Sequence, residues 1–103
     1  MALDKVNILA IGVHPDDVEL SCSGTLIKSV QEGKKVGLLD LTHGELGTRG
    51  SGELRLVEAE NARKIMGASF RVNLGLKDGF FENNEAAQLK IIEVIRACQP
   101  DIV

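Results

Sequence analysis

Apolar residues follow two different periods along the chain. Short apolar runs bounded by turn residues alternate with longer segments in which apolar residues recur every three or four positions. The runs are typical of strands buried on both faces, and the longer segments are typical of amphipathic helices. The pattern predicts strands at 6–12, 36–41 and 70–74, and the opening of a fourth at Ile102-Val103. It predicts helices from near Pro15 to Gly33, from Glu53 to Met66 and from Glu85 to Cys98.

Each predicted helix has an apolar face that should pack on the sheet. In the first helix this face consists of Val18, Cys22, Leu26 and Val30. In the second helix it consists of Leu56, Ala59, Ala62, Ile65 and Met66. In the third helix it consists of Leu89, Ile92 and Ile95, with Ile91 and Val94 beside them.

The order of these elements is β-α-β-α-β-α-β, which implies a parallel sheet with right-handed crossovers. The simplest arrangement is a Rossmann-like three-layer α/β/α fold with strand order 3-2-1-4. The chain ends on the second residue of a predicted strand, so we expect residues 1–103 to be the N-terminal part of a longer single domain. In this order, ligands should bind at the carboxyl ends of the strands, in the crevice between strands 1 and 4.

Composition narrows the class of protein. The chain has 103 residues, of which 44% are hydrophobic and 26% charged, as is usual for a globular domain. Its net charge of −3 and its lack of Tyr and Trp argue against a nucleic-acid partner, which requires a basic surface or stacking rings. Cys22 and Cys98 form no C-x-x-C motif, which favours thiols in a reducing compartment. No signal peptide or membrane span is predicted, so we expect a cytoplasmic protein without a membrane partner.

One imidazole and three carboxylates crowd the junction between the first strand and the first helix, in the run His14-Pro15-Asp16-Asp17-Val18-Glu19. With His14 extended and Asp17 in the first helical turn, both side chains can point into the same space. A histidine nitrogen and a carboxylate oxygen are good ligands for zinc, although another divalent metal is possible. Zinc needs at least one more protein ligand, and we expect it from the loop after the fourth strand, beyond Val103.

The two remaining acids of this run have separate expected roles. Asp16 should diverge from Asp17 by about 100° and approach a water molecule from the side, which suits a general base. Glu19 is expected to support the site by holding the ring N–H of His14 or a backbone N–H. Acids are also common at helix starts because they complement the helix dipole. The nearby histidine and the position at the end of a strand favour a metal-hydrolase site over simple capping.

Two further residues are candidates for substrate contact. Arg49 lies in a loop with glycines at 44, 47, 50 and 52, and its guanidinium suits a carboxylate or the oxygens of a polyol. A solvated loop arginine is the alternative. Asp78 precedes Gly79 and is either a turn residue or an acceptor for substrate hydroxyls.

These motifs resemble those of a known family. The run from His14 to Glu19 resembles the H-P-D-D-x-E signature of the PIG-L/LmbE-type zinc-dependent N-deacetylases. Residues 41–50 resemble the second motif of that family, and Asp78-Gly79 resembles the third. The full pattern is most similar to the bacterial branch that deacetylates N-acetylglucosaminyl-malate in bacillithiol synthesis.

The resemblance implies a mechanism and a set of roles. His14 and Asp17 would bind zinc, Asp16 would be the general base, and Arg49 and Asp78 would contact the glycoside of an amino-sugar conjugate. A histidine beyond residue 103 would be the third zinc ligand, and a second histidine there would help to stabilise the oxyanion. The products would be acetate and a free glucosamine amine.

Two alternatives stay open at this point. In the first, the chain is a non-catalytic Rossmann-like binding module in which the acids cap the helix and the glycine-rich loop holds an anionic small molecule. In the second, the chain covers its open sheet edge by self-association into a homo-oligomer.

Overall fold

Strands and helices alternate along the chain in a computed structural model, which describes residues 1–47 and 52–103. All strands of the main sheet run parallel, as predicted. The elements are β1 (Ile8–Gly12), α1 (Asp17–Gln31), β2 (Val36–Thr42), α2 (Gly52–Met66), β3 (Phe70–Leu76) and α3 (Glu85–Cys98).

The order of the strands confirms the predicted α/β fold class. The sheet has the order β1-β2-β3, and every residue of the central strand β2 is buried. Beyond α3 the chain returns to the free side of β1, where Ile102 forms a parallel bridge with Ile8. This bridge lies on the side of β1 opposite β2, in agreement with the predicted order 3-2-1-4.

Local capping chemistry explains where the helices begin and end. Asn84 lies before α3 and caps its first turn, because its side chain accepts a hydrogen bond from the backbone N–H of Ala87 at 3.0 Å. Gly33 follows α1 with φ of 88°, a left-handed conformation that glycine adopts without strain. The start of α1 was predicted near Pro15 but lies at Asp17. Residues 13–16 therefore form a turn between strand and helix.

Hydrophobic cores lie on both faces of the sheet. The face toward α3 is filled by buried residues Val6, Leu9, Leu39, Leu41, Val94 and Cys98. The face toward α1 and α2 is filled by buried residues Val18, Leu26, Val36, Leu38, Met66 and Ala68. Among the helices of the described residues, none combines the length and apolarity needed to cross a bilayer.

The predicted apolar faces of α2 and α3 are wrong in part. Ile65 is 82% exposed and Leu89 is 54% exposed, whereas Ala59 and Val94 are buried. Both helices carry overlapping apolar stripes, and the period of the sequence cannot say which stripe meets the sheet. In α2 the carbonyl of the buried Ala59 accepts a hydrogen bond from Arg71 Nη1 at 3.3 Å.

A buried ion cluster connects the sheet to the first helix. The guanidinium of Arg71, on β3, donates two hydrogen bonds to Asp40 on β2, at 2.6 and 3.0 Å. It donates two more to Glu19 on α1, at 3.0 and 3.1 Å. The side chains of Arg71 and Asp40 are 4% and 2% exposed, so solvent screens this pairing little.

Removing the guanidinium should therefore destabilise the fold. Arg71→Ala leaves the carboxylate of Asp40 buried without its partner, and we expect the free energy of unfolding to fall by about 3–5 kcal/mol. Urea unfolding followed by circular dichroism measures this change. Arg63→Ala is the matched control. Arg63 pairs with the exposed Glu60, so its removal should lower the free energy of unfolding much less. If both variants lower the free energy of unfolding equally, then the buried ion cluster does not stabilise the fold more than an exposed ion pair.

Candidate active site

The loop between β1 and α1 has a strained conformation at its last residue. Asp16 has φ of 90°, in the left-handed region that residues other than glycine seldom adopt. The turn is closed by the carboxylate of Asp17, whose Oδ2 accepts a hydrogen bond from the backbone N–H of His14 at 3.0 Å. The loop is also anchored to the end of β2, because the backbone N–H of Thr42 donates to the carbonyl of Val13 at 2.9 Å.

His14 and Asp17 are brought together as the sequence predicted. Their Nδ1 and Oδ2 atoms lie 3.4 Å apart, and both side chains are partly exposed. Two ligands of one tetrahedral zinc, each about 2.0–2.2 Å from the metal, lie about 3.3–3.6 Å apart. The separation of these two donors therefore fits a shared zinc ion. Among the described residues, no group of three His, Cys, Asp or Glu side chains is arranged to hold a metal.

The second nitrogen of the His14 ring is held by Asp78. Its Nε2 lies 2.6 Å from Asp78 Oδ1, and the other carboxylate oxygen of Asp78 accepts from the backbone N–H of Leu46 at 3.0 Å. The backbone N–H of Asp78 in turn donates to the carboxylate of Glu45 at 3.0 Å. Asp78 is only 7% exposed and both its oxygens have protein partners. Its predicted contact with a substrate hydroxyl stays a prediction; its observed contact is the histidine ring.

The expected contact between Glu19 and His14 is corrected by the structure. Both carboxylate oxygens of Glu19 accept hydrogen bonds from Arg71, while the ring of His14 contacts Asp78 and Asp17. Glu19 lies two residues after Asp17, and the first turn of a helix rotates it away from the loop and toward the sheet. Glu19 therefore belongs to the buried ion cluster, and Asp78 supports the histidine.

Asp16 lies at the rim of an open depression at the carboxyl ends of the strands. Its side chain is 57% exposed. The depression has a volume of about 300 Å³ and is lined by His14, Asp16, Asp17, Leu46, Gly47, Arg55 and Asp78. Asp16 and the two candidate metal ligands, His14 and Asp17, thus face the same space. In this arrangement the carboxylate of Asp16 can accept a proton while the other two side chains hold a metal.

Arg55, in the first turns of α2, is the site residue that sequence reasoning missed. Its Nη1 donates to the carbonyl of Gly44 and its Nη2 donates to the carbonyl of Pro15, both at 3.0 Å. A Cβ added at Gly44 would collide with this guanidinium. Only the arginine within the glycine-rich loop, Arg49, was considered from the sequence, whereas Gly44 leaves room for an arginine from the neighbouring helix. Arg49 lies outside the described residues.

The fold and the side chains at its carboxyl edge define an α/β protein with a histidine–carboxylate site. Residues 9–103 match the family model described as PIG-L: GlcNAc-PI de-N-acetylase. The chain therefore belongs to the PIG-L family, as the motif resemblance predicted.

Individual relatives agree with this membership. The chain is 36% identical over 99 residues to the uncharacterized deacetylase YaiS of Escherichia coli K12, and this match covers 96% of the chain and 49% of YaiS. The conserved protein TT1542 of Thermus thermophilus superimposes with a TM-score of 0.87 at 41% identity, over 92% of this chain and 43% of that one. The N,N′-diacetylchitobiose deacetylase of Pyrococcus horikoshii gives a TM-score of 0.85 at 26% identity, over 92% and 39%. The chain thus spans about half the length of the relatives it matches.

The hydrogen bond between His14 and Asp78 shifts the pKa of both groups. The bond raises the pKa of His14 above its ordinary 6.5, although burial acts in the opposite direction. The same bond lowers the pKa of Asp78 below its ordinary 3.8. In the metal-free protein the pair therefore stabilises the fold fully between about pH 3.8 and 6.5. This stabilisation is lost as the pH rises through the raised pKa of His14 or falls through the lowered pKa of Asp78.

Replacing Asp78 should lower the pKa of His14. Asp78→Asn removes the negative charge next to Nε2 while the burial that disfavours the imidazolium remains. An NMR titration of the His14 ring in chelator-treated protein measures the change. Glu45→Gln is the control, because Glu45 contacts the backbone of Asp78 and not the ring. An unchanged pKa in Asp78→Asn would show that another group holds the proton on His14.

Proposed function

We propose that the whole protein is a zinc-dependent hydrolase that removes the N-acetyl group from an N-acetylglucosaminyl conjugate. N-acetylglucosaminyl-malate, the substrate of the bacillithiol branch, is the proposed conjugate. The observation that carries the proposal is the separation of 3.4 Å between His14 Nδ1 and Asp17 Oδ2 at the rim of the depression. Membership of the PIG-L family and the acetamido sugar named for the Pyrococcus horikoshii relative support the substrate class.

The proposed zinc ligands in this chain are His14, through Nδ1, and Asp17. The orientation of the ring is set by Asp78, which occupies Nε2, since a carboxylate on the second nitrogen is the usual support for a metal-binding histidine. A third ligand is proposed from residues beyond Val103, because the described residues supply only two close donors. Another divalent metal with the same ligand preference is an alternative occupant.

Residues of this chain have separate roles in the proposed hydrolysis. When bound, zinc polarises the acetyl carbonyl and lowers the pKa of a water molecule toward 7. Asp16 removes a proton from the attacking water and later delivers a proton to the departing amine. Arg49 is proposed to contact the glycoside. The bond between the acetyl carbon and the sugar nitrogen breaks, and acetate and a free glucosamine amine leave.

Metal content separates this proposal from a non-catalytic binding module. We expect one zinc ion per chain in the whole protein and loss of that zinc in Asp17→Ala, because one of its donors is gone. Metal analysis by mass spectrometry after dialysis measures both. Glu53→Ala, a change in the first turn of α2, serves as the control and should keep the metal. Whole protein that takes up no zinc would overturn the metal site and favour the binding module.

The role of Asp16 is tested separately from the metal. Asp16→Asn should retain zinc while turnover falls by roughly 10²–10⁴-fold, because an amide cannot accept the proton. Acetate release from N-acetylglucosaminyl-malate and from N,N′-diacetylchitobiose measures turnover in the whole protein. Activity at the level of the unmodified protein would exclude Asp16 as the base.

A further inference from the structure

The first turn of α1 is separated from the rest of that helix by a break. Cys22 has φ of −143° and ψ of 15°, which are not helical values, so residues 17–21 form a short segment ahead of the break. This first-turn segment begins with the candidate metal ligand Asp17. A single helical turn does not hold its own shape, because it gains too few hydrogen bonds to offset the entropy lost on ordering. The orientation of Asp17 therefore depends on what the segment contacts.

Val18 and Glu19 anchor the first-turn segment to the sheet. Val18 is buried in the core between the sheet and the helices α1 and α2. Apolar packing has no direction, so Val18 fixes the distance of the segment from the sheet but not its rotation. The two carboxylate oxygens of Glu19 accept from two different nitrogens of Arg71, and such paired bonds do have a defined direction. Glu19 is therefore the contact that fixes the rotation.

Arg71 is a fixed point for this contact. A guanidinium has five N–H donors, and in Arg71 each of them has a partner. Besides Glu19, the partners are the carboxylate of Asp40 and the carbonyl of Ala59, so Arg71 joins β2, α2 and α1. Its side chain is 4% exposed. Arg71 thus has no donor left for a substrate and acts only through the groups it binds.

We propose that the pair of Glu19 and Arg71 positions the metal ligand Asp17: by fixing the rotation of the first-turn segment, it holds the carboxylate of Asp17 next to His14. The proposal rests on the proposed function for the identity of Asp17 as a metal ligand. Metal–ligand distances tolerate deviations of only about 0.2 Å, so a small rotation of the segment is enough to weaken binding. Glu19 and Arg71 are positioning residues and touch neither metal nor substrate.

Amide hydrogen exchange in the metal-free whole protein tests the positioning without any activity. The backbone N–H of His14 donates to Asp17 Oδ2 at 3.0 Å, so its protection reports the place of that carboxylate. We expect Glu19→Gln to lose this protection, because an amide cannot accept from both guanidinium nitrogens and the segment is released. The N–H of Thr42, which bonds to the carbonyl of Val13, is the internal reference and should stay protected. Unchanged protection of His14 would overturn the proposal.

Zinc affinity of the whole protein is the second measurement, made by competition with a chromophoric chelator. Glu19→Gln should bind zinc about 10–100-fold more weakly, the range typical for loss of a group that orients a metal ligand. Val94→Ala is the control for stability. It removes buried contacts on the opposite face of the sheet and should leave the zinc affinity unchanged. Equal weakening in both variants would overturn the positioning role in favour of a general effect of stability.

A direct effect of charge on the metal is separated from positioning by Arg71→Lys. This change keeps the formal charge, but an ammonium cannot reproduce the fork that holds Asp40 and Glu19 together. We expect Arg71→Lys to weaken zinc binding about tenfold or more, as Glu19→Gln does. Full affinity in Arg71→Lys beside weak binding in Glu19→Gln would overturn the proposal in favour of simple attraction between Glu19 and the metal. If circular dichroism shows that Arg71→Lys does not fold, the amide of His14 in Glu19→Gln decides.

Failure of the proposed function gives a different result. If the unmodified whole protein binds no zinc, then the enzyme proposal fails, while the exchange of the His14 amide still decides whether Glu19 orients Asp17. If the unmodified protein binds zinc and both Glu19→Gln and Arg71→Lys bind it equally well, then the positioning role alone fails.

Discussion

The hydrogen bond between His14 and Asp78 is the contact on which the arrangement of the site depends. It occupies Nε2 of the imidazole and so leaves Nδ1 facing Asp17. Asp78 also accepts from the backbone of the loop after β2, so one carboxylate orders parts of three loops. A histidine whose second nitrogen is held in this way has a defined orientation, which a metal ligand requires.

A second group of charged side chains supports the first helix. Arg71, Asp40 and Glu19 form a cluster that ties α1 to strands β2 and β3. The cluster keeps the beginning of α1 in place, while Asp78 and Arg55 keep the loop before it in place. The three acids of the run from His14 to Glu19 therefore have two different surroundings. Asp16 and Asp17 face the open depression, whereas Glu19 faces the interior.

Family membership and geometry support different parts of the functional argument. The match over residues 9–103 establishes the family. The separation of the His14 and Asp17 donors supports a metal without reference to any relative. The chain covers about half of its relatives, so the remaining metal ligand and much of the substrate surface are proposed from outside it.

The sequence alone determined the alternation of elements and the grouping of His14, Asp16 and Asp17, because these follow from local periodicity and from spacing within one turn. The strand order was predicted from general rules for parallel sheets, and the observed pairing agrees with it. Helix α3 was predicted with its observed bounds, Glu85–Cys98. Only the tertiary structure decided that Asp78 binds His14, that Arg71 binds Glu19, and that Arg55 binds the carbonyl of Pro15. The partners in these three contacts lie 64, 52 and 40 positions apart in the chain, and no local pattern specifies which distant polar groups meet when the sheet assembles.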